Sequence, residues 1–324
     1  MRPKSVEELV GAVAEANRLR IRLFPTCLGS KAGMGPPAAY DELLELTSMP
    51  KVVEVDEEEM VVKVSACYPA ASLQEELARR GRRLAMDPPL FTRSSIGGII
   101  ATNFYGPMAY RYMTPRDQLL SVRAVTGGGQ LVKFGAPVMK DVAGYNLKRL
   151  LAGSWGTLAV IVEAFLRIYA LPESVAVVET DPKPLGDVRK LLSTAALEKN
   201  GKLYLRFEGT AAEVEYRVAK AGRGEVYYGA DAEALWQSAT EAIDVFSSDV
   251  VYKVVAPPAQ LPPPPSGARY VKYPLLGVMY VGGEAGAGYR LKPPQKWQLP
   301  NADLMARIKQ VFDPNGVLAP GRLP

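Results

Sequence analysis

Ser94-Ser95-Ile96-Gly97-Gly98-Ile99-Ile100-Ala101-Thr102-Asn103, running on to Gly106-Pro107, is the most informative stretch of this 324-residue chain. Adjacent glycines remove side-chain bulk, so a backbone there can touch a ligand and turn its N–H groups onto phosphate oxygens. Ser94, Ser95, Thr102 and Asn103 add hydrogen-bond donors for the same anion. The competing reading is a tight turn feeding a buried strand, because short glycine motifs often mean no more than that.

Two later stretches tip the balance toward a ligand. Residues 135–147 offer Lys140 as a cation and Gly144 as permissive backbone, and residues 151–162 set Gly153 and Gly156 around Ser154 and Trp155. Neither contains GxxxxGK[ST], and no strand feeds a GxGxxG into a helix, so P-loop and Rossmann binding are disfavoured. A dinucleotide-sized ligand held by several discontinuous loops remains.

Outward from these loops the pattern is mixed α and β. Ser5 and Glu8 form a capping box before an amphipathic helix, and the alternation at 20–25 reads as a strand. Residues 52–55 and 60–66 flank the acidic turn 56–59 as a hairpin. Ser72 is expected to cap a second helix over 73–80, ended by Gly81. Beyond Pro172, segments 175–179, 185–197, 202–207 and 211–219 alternate strand and helix patterns, a small separate α+β unit. Prolines at 257–258 and 262–265 read as a stiff spacer, 270–281 as one strand, and 302–312 as a helix stopped by Asp313-Pro314.

Composition sets the outer bounds. With 48% apolar and 23% charged residues the chain is globular. The 39 basic against 34 acidic residues are spread along it, which suits an anionic cofactor, a small acid or an acidic partner and does not argue for nucleic acid. Histidine is absent, which removes Ser-His-Asp triads, His-ligated metals and histidyl attachment of a cofactor. Cys27 and Cys67, with no CxxC, exclude zinc ribbons and iron–sulfur ligation by this chain alone and read as buried packing thiols. Plentiful Pro and Gly beside sparse Asn, Gln and Cys hint at a thermophile. No signal peptide opens the chain, and no apolar run reaches the ~18 residues of a membrane span, since 150–162 is broken by Gly153 and Gly156. A cytoplasmic protein, peripheral to a membrane at most through partners, is expected.

Ser95-Ile96-Gly97-Gly98, Val138-Met139-Lys140-Asp141-Val142-Ala143-Gly144-Tyr145 and Leu150-Leu151-Ala152-Gly153-Ser154-Trp155-Gly156-Thr157-Leu158 resemble the FAD-linked oxidases of the PCMH (vanillyl-alcohol oxidase) superfamily, in particular the FAD-binding subunits of glycolate oxidase. Residues 24–31, Asp87-Pro88-Pro89, 116–120 and the C-terminal 309–322 fit the same pattern. The resemblance implies an α+β fold: an FAD-binding PCMH-type domain over 1–172 in two α/β subdomains, about 1–70 and 71–172, a reduced cap-like domain over 173–300, and a segment 301–324 that returns to the FAD domain. It implies that Pro25, Thr26, Cys27, Leu28, Gly29, Ser30 and Lys31 cradle the FAD pyrophosphate, together with Pro88, Ser94, Ser95, Ile96, Gly97, Gly98, Ala101, Thr102 and Asn103. Gly106 and Pro107 would lie toward the flavin ring. Lys140, Gly144 and Tyr145 would sit near the phosphates or ribityl chain, and Gly153, Gly156, Thr157, Val160 and Ile161 near ribose and adenine.

The first loop has fewer glycines than the family pattern, and Ala319 replaces a frequent Asn. Without histidine, and with Cys27 disfavoured as an anchor, FAD is expected to be noncovalent. A self-sufficient 2-hydroxy-acid dehydrogenase needs a hydride acceptor, a base and a cation for the carboxylate. Arg111, Arg206 and Arg290 are candidate clamps, and Tyr112 or Lys140 candidate proton carriers, each weighed against a plain structural charge. Three functions follow: a flavin subunit passing electrons to an iron–sulfur subunit beside a larger FAD subunit that oxidises a small 2-hydroxy acid; a stand-alone FAD dehydrogenase of glycolate or D-lactate; and a non-catalytic binding protein on the same fold.

Overall fold

In the computed structural model residues 1–136 and 146–323 are described, so Lys140, Gly144 and Tyr145 lie outside the described residues. The hairpin expected around the acidic turn forms, with Val53–Asp56 antiparallel to Val61–Ser65. It is one edge of a five-stranded sheet that continues through Ala159–Arg167, Leu119–Thr126 and Leu131–Gly135. Ala159–Arg167 and Leu119–Thr126 hold its centre and are buried almost throughout, so their apolar runs lack the alternation of half-exposed strands. One face carries Ala70–Ala78 and Ile96–Thr102, whose Leu73, Leu77, Ile96, Ile99 and Ile100 pack on Val62, Val122 and Ile161. The other face carries Val6–Leu19 and the parallel pair Leu23–Thr26 and Glu42–Glu45, packed through Leu9, Val13, Leu23 and Leu44 on Val125, Val160 and Val162.

Four expectations are corrected. The Gly97-Gly98 stretch is a helix, because Ser95 caps it with its Oγ accepting from the Gly98 N–H (3.2 Å) while Ile96, Ile99 and Ile100 share one buried face. Packing there outweighs the poor helix propensity of two glycines. The second helix starts at Ala70 after Pro69, not at Ser72, since Leu73 N–H already reaches the Pro69 carbonyl. Residues 270–281 form two strands, Arg269–Tyr273 and Val278–Gly282, turned at Gly277 with φ +69°. Finally, Cys27 and Cys67 are joined in a disulfide across a sequence separation of 40, so neither is a packing thiol.

Beyond Pro172 an eight-stranded sheet forms, ordered Glu225–Tyr228, Ser174–Thr180, Lys202–Gly209, Ala195–Lys199, Arg269–Tyr273, Val278–Gly282, Val251–Val255 and Tyr289–Lys292. Alternation along Ser174–Thr180 sends Ala176 and Val178 to a face covered by Leu185–Lys190 and Ala211–Ala221. Val175 and Val177 turn to the opposite face. There Gly229–Glu241, through Ala232, Trp236 and Ala239, meets Ala85, Leu90, Phe104 and Met108 from the first half of the chain. A buried charge network crosses the same seam: Glu208 takes Arg83 (2.6 Å) and Arg206 (2.8 Å), and Arg206 also takes Glu233 (2.6 Å). Ala302–Phe312 then leads back to the first half, where Leu318 bridges in parallel to Leu23. Lys309 Nζ fastens this return, donating to the carbonyls of Thr157 (2.6 Å) and Leu318 (2.8 Å). No helix among the described residues is long and apolar enough to cross a membrane.

Candidate cofactor site

Between the loop after Leu23–Thr26, the start of Ile96–Thr102 and the turn before Ala159–Arg167 lies a cleft. It encloses about 720 Å³ of empty space, part of it open to solvent. Leu46, Val160 and Ile161 give it an apolar wall, and Gly29, Gly97, Gly98 and Gly156 keep its backbone close. Gly97 is needed for the fold itself, because a Cβ there would stand 2.8 Å from that of Ala66.

The amides expected to face phosphate at Gly97 and Gly98 are already used. Gly97 N–H donates to the Ala66 carbonyl (2.7 Å) and Gly98 N–H to Ser95 Oγ. The amides of Leu28, Gly29, Ser30 and Lys31 have no acceptor among the described residues, and these are the donors an anion can take. Two buried cations flank them. Lys31, 6% exposed, donates to Ser94 Oγ and lies 5.6 Å from the Phe104 ring centre. Burial pushes its ammonium down to about 7, against the opposing pull of Glu241. Arg322, 4% exposed, lies over Trp155 (4.9 Å) and Phe24 (5.0 Å), donates to the Met34 carbonyl, and has an unpartnered Nε. Burial lowers it to about 10. Neither has a carboxylate partner among the described residues, and a buried charge without a counterion is unfavourable until an anion arrives. The donor set therefore fits a diphosphate, and the apolar wall fits a purine.

The cleft brings together Pro25, Thr26, Cys27, Gly29, Ser30, Lys31, Ser95, Gly97, Gly98, Ala101, Thr102, Gly156, Val160 and Ile161. The other expected residues do other things. Leu28 is exposed, Ile96 is in the core, and Ser94 Oγ donates to the Leu90 carbonyl (2.6 Å) beneath Lys31. Asn103 adopts φ +47° and its Oδ1 accepts from the Arg116 N–H (3.1 Å). Thr157 Oγ1 is turned onto the Ser154 carbonyl (2.7 Å). Gly106 is a glycine because a Cβ would lie 1.9 Å from the Asp87 carbonyl oxygen. Pro88, Pro107 and Gly153 do not line the cleft either. Trp155 and Arg322 do line it and were not among the expected site residues; Arg322 lies 291 positions from Lys31, and no spacing rule links them. The disulfide takes the Cys27 thiol out of consideration as a flavin anchor.

None of the candidate carboxylate clamps lines this cleft. Arg206 is 1% exposed and held by Glu208 and Glu233, which leaves its fork no free face for a substrate. The Tyr112 hydroxyl donates to Glu208 (2.8 Å) and accepts from Arg83 (2.8 Å); burial and the Glu208 charge push it up to about 12. Arg111 is exposed on a different cleft, and Arg290 sits on the edge strand Tyr289–Lys292.

Residues 1–135 match the family model of the FAD binding domain, and residues 281–323 that of the FAD linked oxidases, C-terminal domain. Glycolate oxidase subunit GlcE of Escherichia coli (strain K12) is 32% identical over 146 residues, 45% of this chain and 41% of its own length. D-lactate dehydrogenase of Anaerostipes hadrus is 32% identical over 174 residues, 53% of this chain and 36% of its own length. Alignment thus spans about two fifths of each of these curated relatives. Two solved structures of alkyldihydroxyacetonephosphate synthase superpose with TM-scores of 0.68 and 0.70 at 18% and 16% identity, covering 99% of this chain and 75% of theirs. Carrying both models in chain order on a mixed α+β fold shared with those structures, the chain belongs to the FAD-linked oxidases of the PCMH (VAO) type.

Proposed function

We propose that the cleft holds FAD noncovalently and that the chain is a flavin subunit of a glycolate oxidase-like 2-hydroxy-acid dehydrogenase. The observation that carries the reading is the pairing of unused amides at 28–31 with the buried cations Lys31 and Arg322, neither of which forms an ion pair among the described residues. In this reading those groups bind the diphosphate, and Leu46, Val160 and Ile161 receive the adenine. Bound FAD supplies a two-electron acceptor; the chain's own residues bind it, orient it and exclude water from it. Glycolate oxidase subunits GlcE and GlcD among the relatives support a multi-subunit assembly. A larger FAD subunit would oxidise the substrate and an iron–sulfur subunit would receive electrons. The engaged state of Arg206 and Tyr112 favours this over a self-sufficient dehydrogenase.

The test is anaerobic addition of glycolate and D-lactate to the isolated, FAD-loaded chain. The expected result is one FAD per chain whose visible absorption does not bleach with either acid. Bleaching in the isolated chain would establish a stand-alone dehydrogenase instead. Failure to take up FAD at all would point to a non-catalytic protein on this fold.

A further inference from the structure

A second cleft, sharing no lining residue with the first, opens where residues 110–112 and 170–172 meet 188–194 and 208–217. It encloses about 1360 Å³ of empty space, part of it open to solvent. Four arginines line it. Arg83 is spoken for by Glu208 (2.6 Å), but Arg111, Arg189 and Arg217 form no ion pair among the described residues. The two carboxylates on the wall are both committed. Glu208 lies between Arg83 and Arg206, and Glu213 closes the capping box of Thr210 (3.0 Å to its N–H) while drawing also on the charge of Arg217, so four arginines face two carboxylates on this wall. Positive charge therefore exceeds negative inside a concave surface, which concentrates anions there.

One more observation is independent of the charge. Ser193 is 5% exposed, lines the cleft, and its Oγ has no hydrogen-bond partner. A buried hydroxyl left without a partner is unfavourable, so this wall has an unmet polar group just beneath its surface. Guanidinium forks match phosphate and carboxylate oxygens in pairs. Three of them on separate segments, around a space larger than one inorganic ion fills, suit a molecule with anionic groups at more than one end.

We propose that this cleft binds a small organic oxyanion carrying two or more anionic oxygen groups, a phosphate ester or a di- or tricarboxylate. Arg111 reaches it from the half that carries the cofactor cleft, Arg189 and Arg217 from the eight-stranded half, and Ser193 lies in the wall between them. The site is separate from the flavin reading and stands or falls without it.

Calorimetric titration of the full chain with pyrophosphate and with citrate, against sodium chloride at matched ionic strength, tests this. Saturable binding of at least one of them is expected, and the stronger of the two identifies the phosphate or the carboxylate source. The double variant Arg189→Gln/Arg217→Gln, both on the cleft wall and outside the core, should weaken binding at least tenfold, and Ser193→Ala should weaken it less. Lys31→Met, which alters only the first cleft, should leave a saturable component in place. Binding no better than chloride, equal binding by the double variant, or loss of all binding in Lys31→Met would each overturn the proposal. So would capture of poly-glutamate without either small anion, which would make the surface a docking face for an acidic chain.

Discussion

Lys31 sets a pH signature at a single residue. Its ammonium is held down to about 7 by burial, with Glu241 opposing, so the unfolded chain, at an ordinary 10.5, binds the extra proton between those values. The penalty of charging Lys31 is then fully present below about 7 and fades as pH rises, so Lys31 makes stability increase across that window. Bound diphosphate reverses the preference by favouring the charged form. FAD affinity should therefore fall as pH rises above about 7, by at most about tenfold per unit, and Lys31→Met should flatten the profile. Fluorescence titration of FAD from about pH 6 to about pH 9 checks both, and a flat wild-type profile would remove Lys31 from the phosphate site. Gly106→Ala belongs to the same scale. Its Cβ would meet the Asp87 carbonyl at 1.9 Å, and overpacking of this kind destabilises by about 1–3 kcal/mol or more, read as a lower denaturant midpoint. Sequence alone does not separate a glycine kept for a ligand from one kept for a neighbouring main chain, which is why Gly106 reads as a flavin contact and turns out to pack on Asp87.

Among the elements, the disulfide has the clearest measurable role. It ties the loop carrying the free amides to the second residue after Val61–Ser65, next to the Ala66 on which Gly97 rests, with the Cα atoms 5.2 Å apart. Closing a separation of 40 residues restricts the unfolded chain by about 4 kcal/mol in the chain-entropy model. Cys67→Ser should lower the denaturation midpoint accordingly, and a dithiol reductant should lower the wild type to the same value. An unchanged midpoint under reduction would mean the link contributes nothing. The strand pair around the acidic turn and the terminal helices were legible because their periods are undisturbed: Leu9, Val13 and Ala16 are buried on one face of Val6–Leu19. Ile96–Thr102 does not read as a helix in sequence because its glycines weaken propensity, although Ile96, Ile99 and Ile100 carry the helical spacing. Gly229–Glu241 is hard to read because its buried residues, Ala232, Trp236, Ala239, Thr240 and Glu241, are small or polar apart from Trp236.

At the scale of the molecule, the two sheets are joined by charge as well as by apolar packing. Burial would raise the Glu208 carboxyl, but Arg83 and Arg206 outweigh it and hold the group at about 2. Stability from this carboxylate is thus present above its ordinary 4.5 and is lost as pH falls toward about 2. Glu208→Gln leaves two buried guanidiniums short of a charge partner and should destabilise by about 3–5 kcal/mol near neutrality, with the gap to wild type closing in acid. Denaturation of both proteins across that range decides it; a pH-independent gap would assign the loss to packing. A sequence shows that Arg206 exists but not that Glu208 and Glu233 already occupy it, and a seam between residues 125 positions apart, Arg83 and Glu208, leaves no local periodicity to read.

The return of the C-terminal segment has a consequence for biosynthesis. Arg322 stacks on Trp155 and reaches back across 291 positions to the Lys31 carbonyl. A growing polypeptide on the ribosome displays the loop at 28–31 long before that guanidinium exists. In the proposed reading the nucleotide site is complete only once Arg322 has folded back onto Trp155, and a product truncated before Val317 offers a floor with one wall missing.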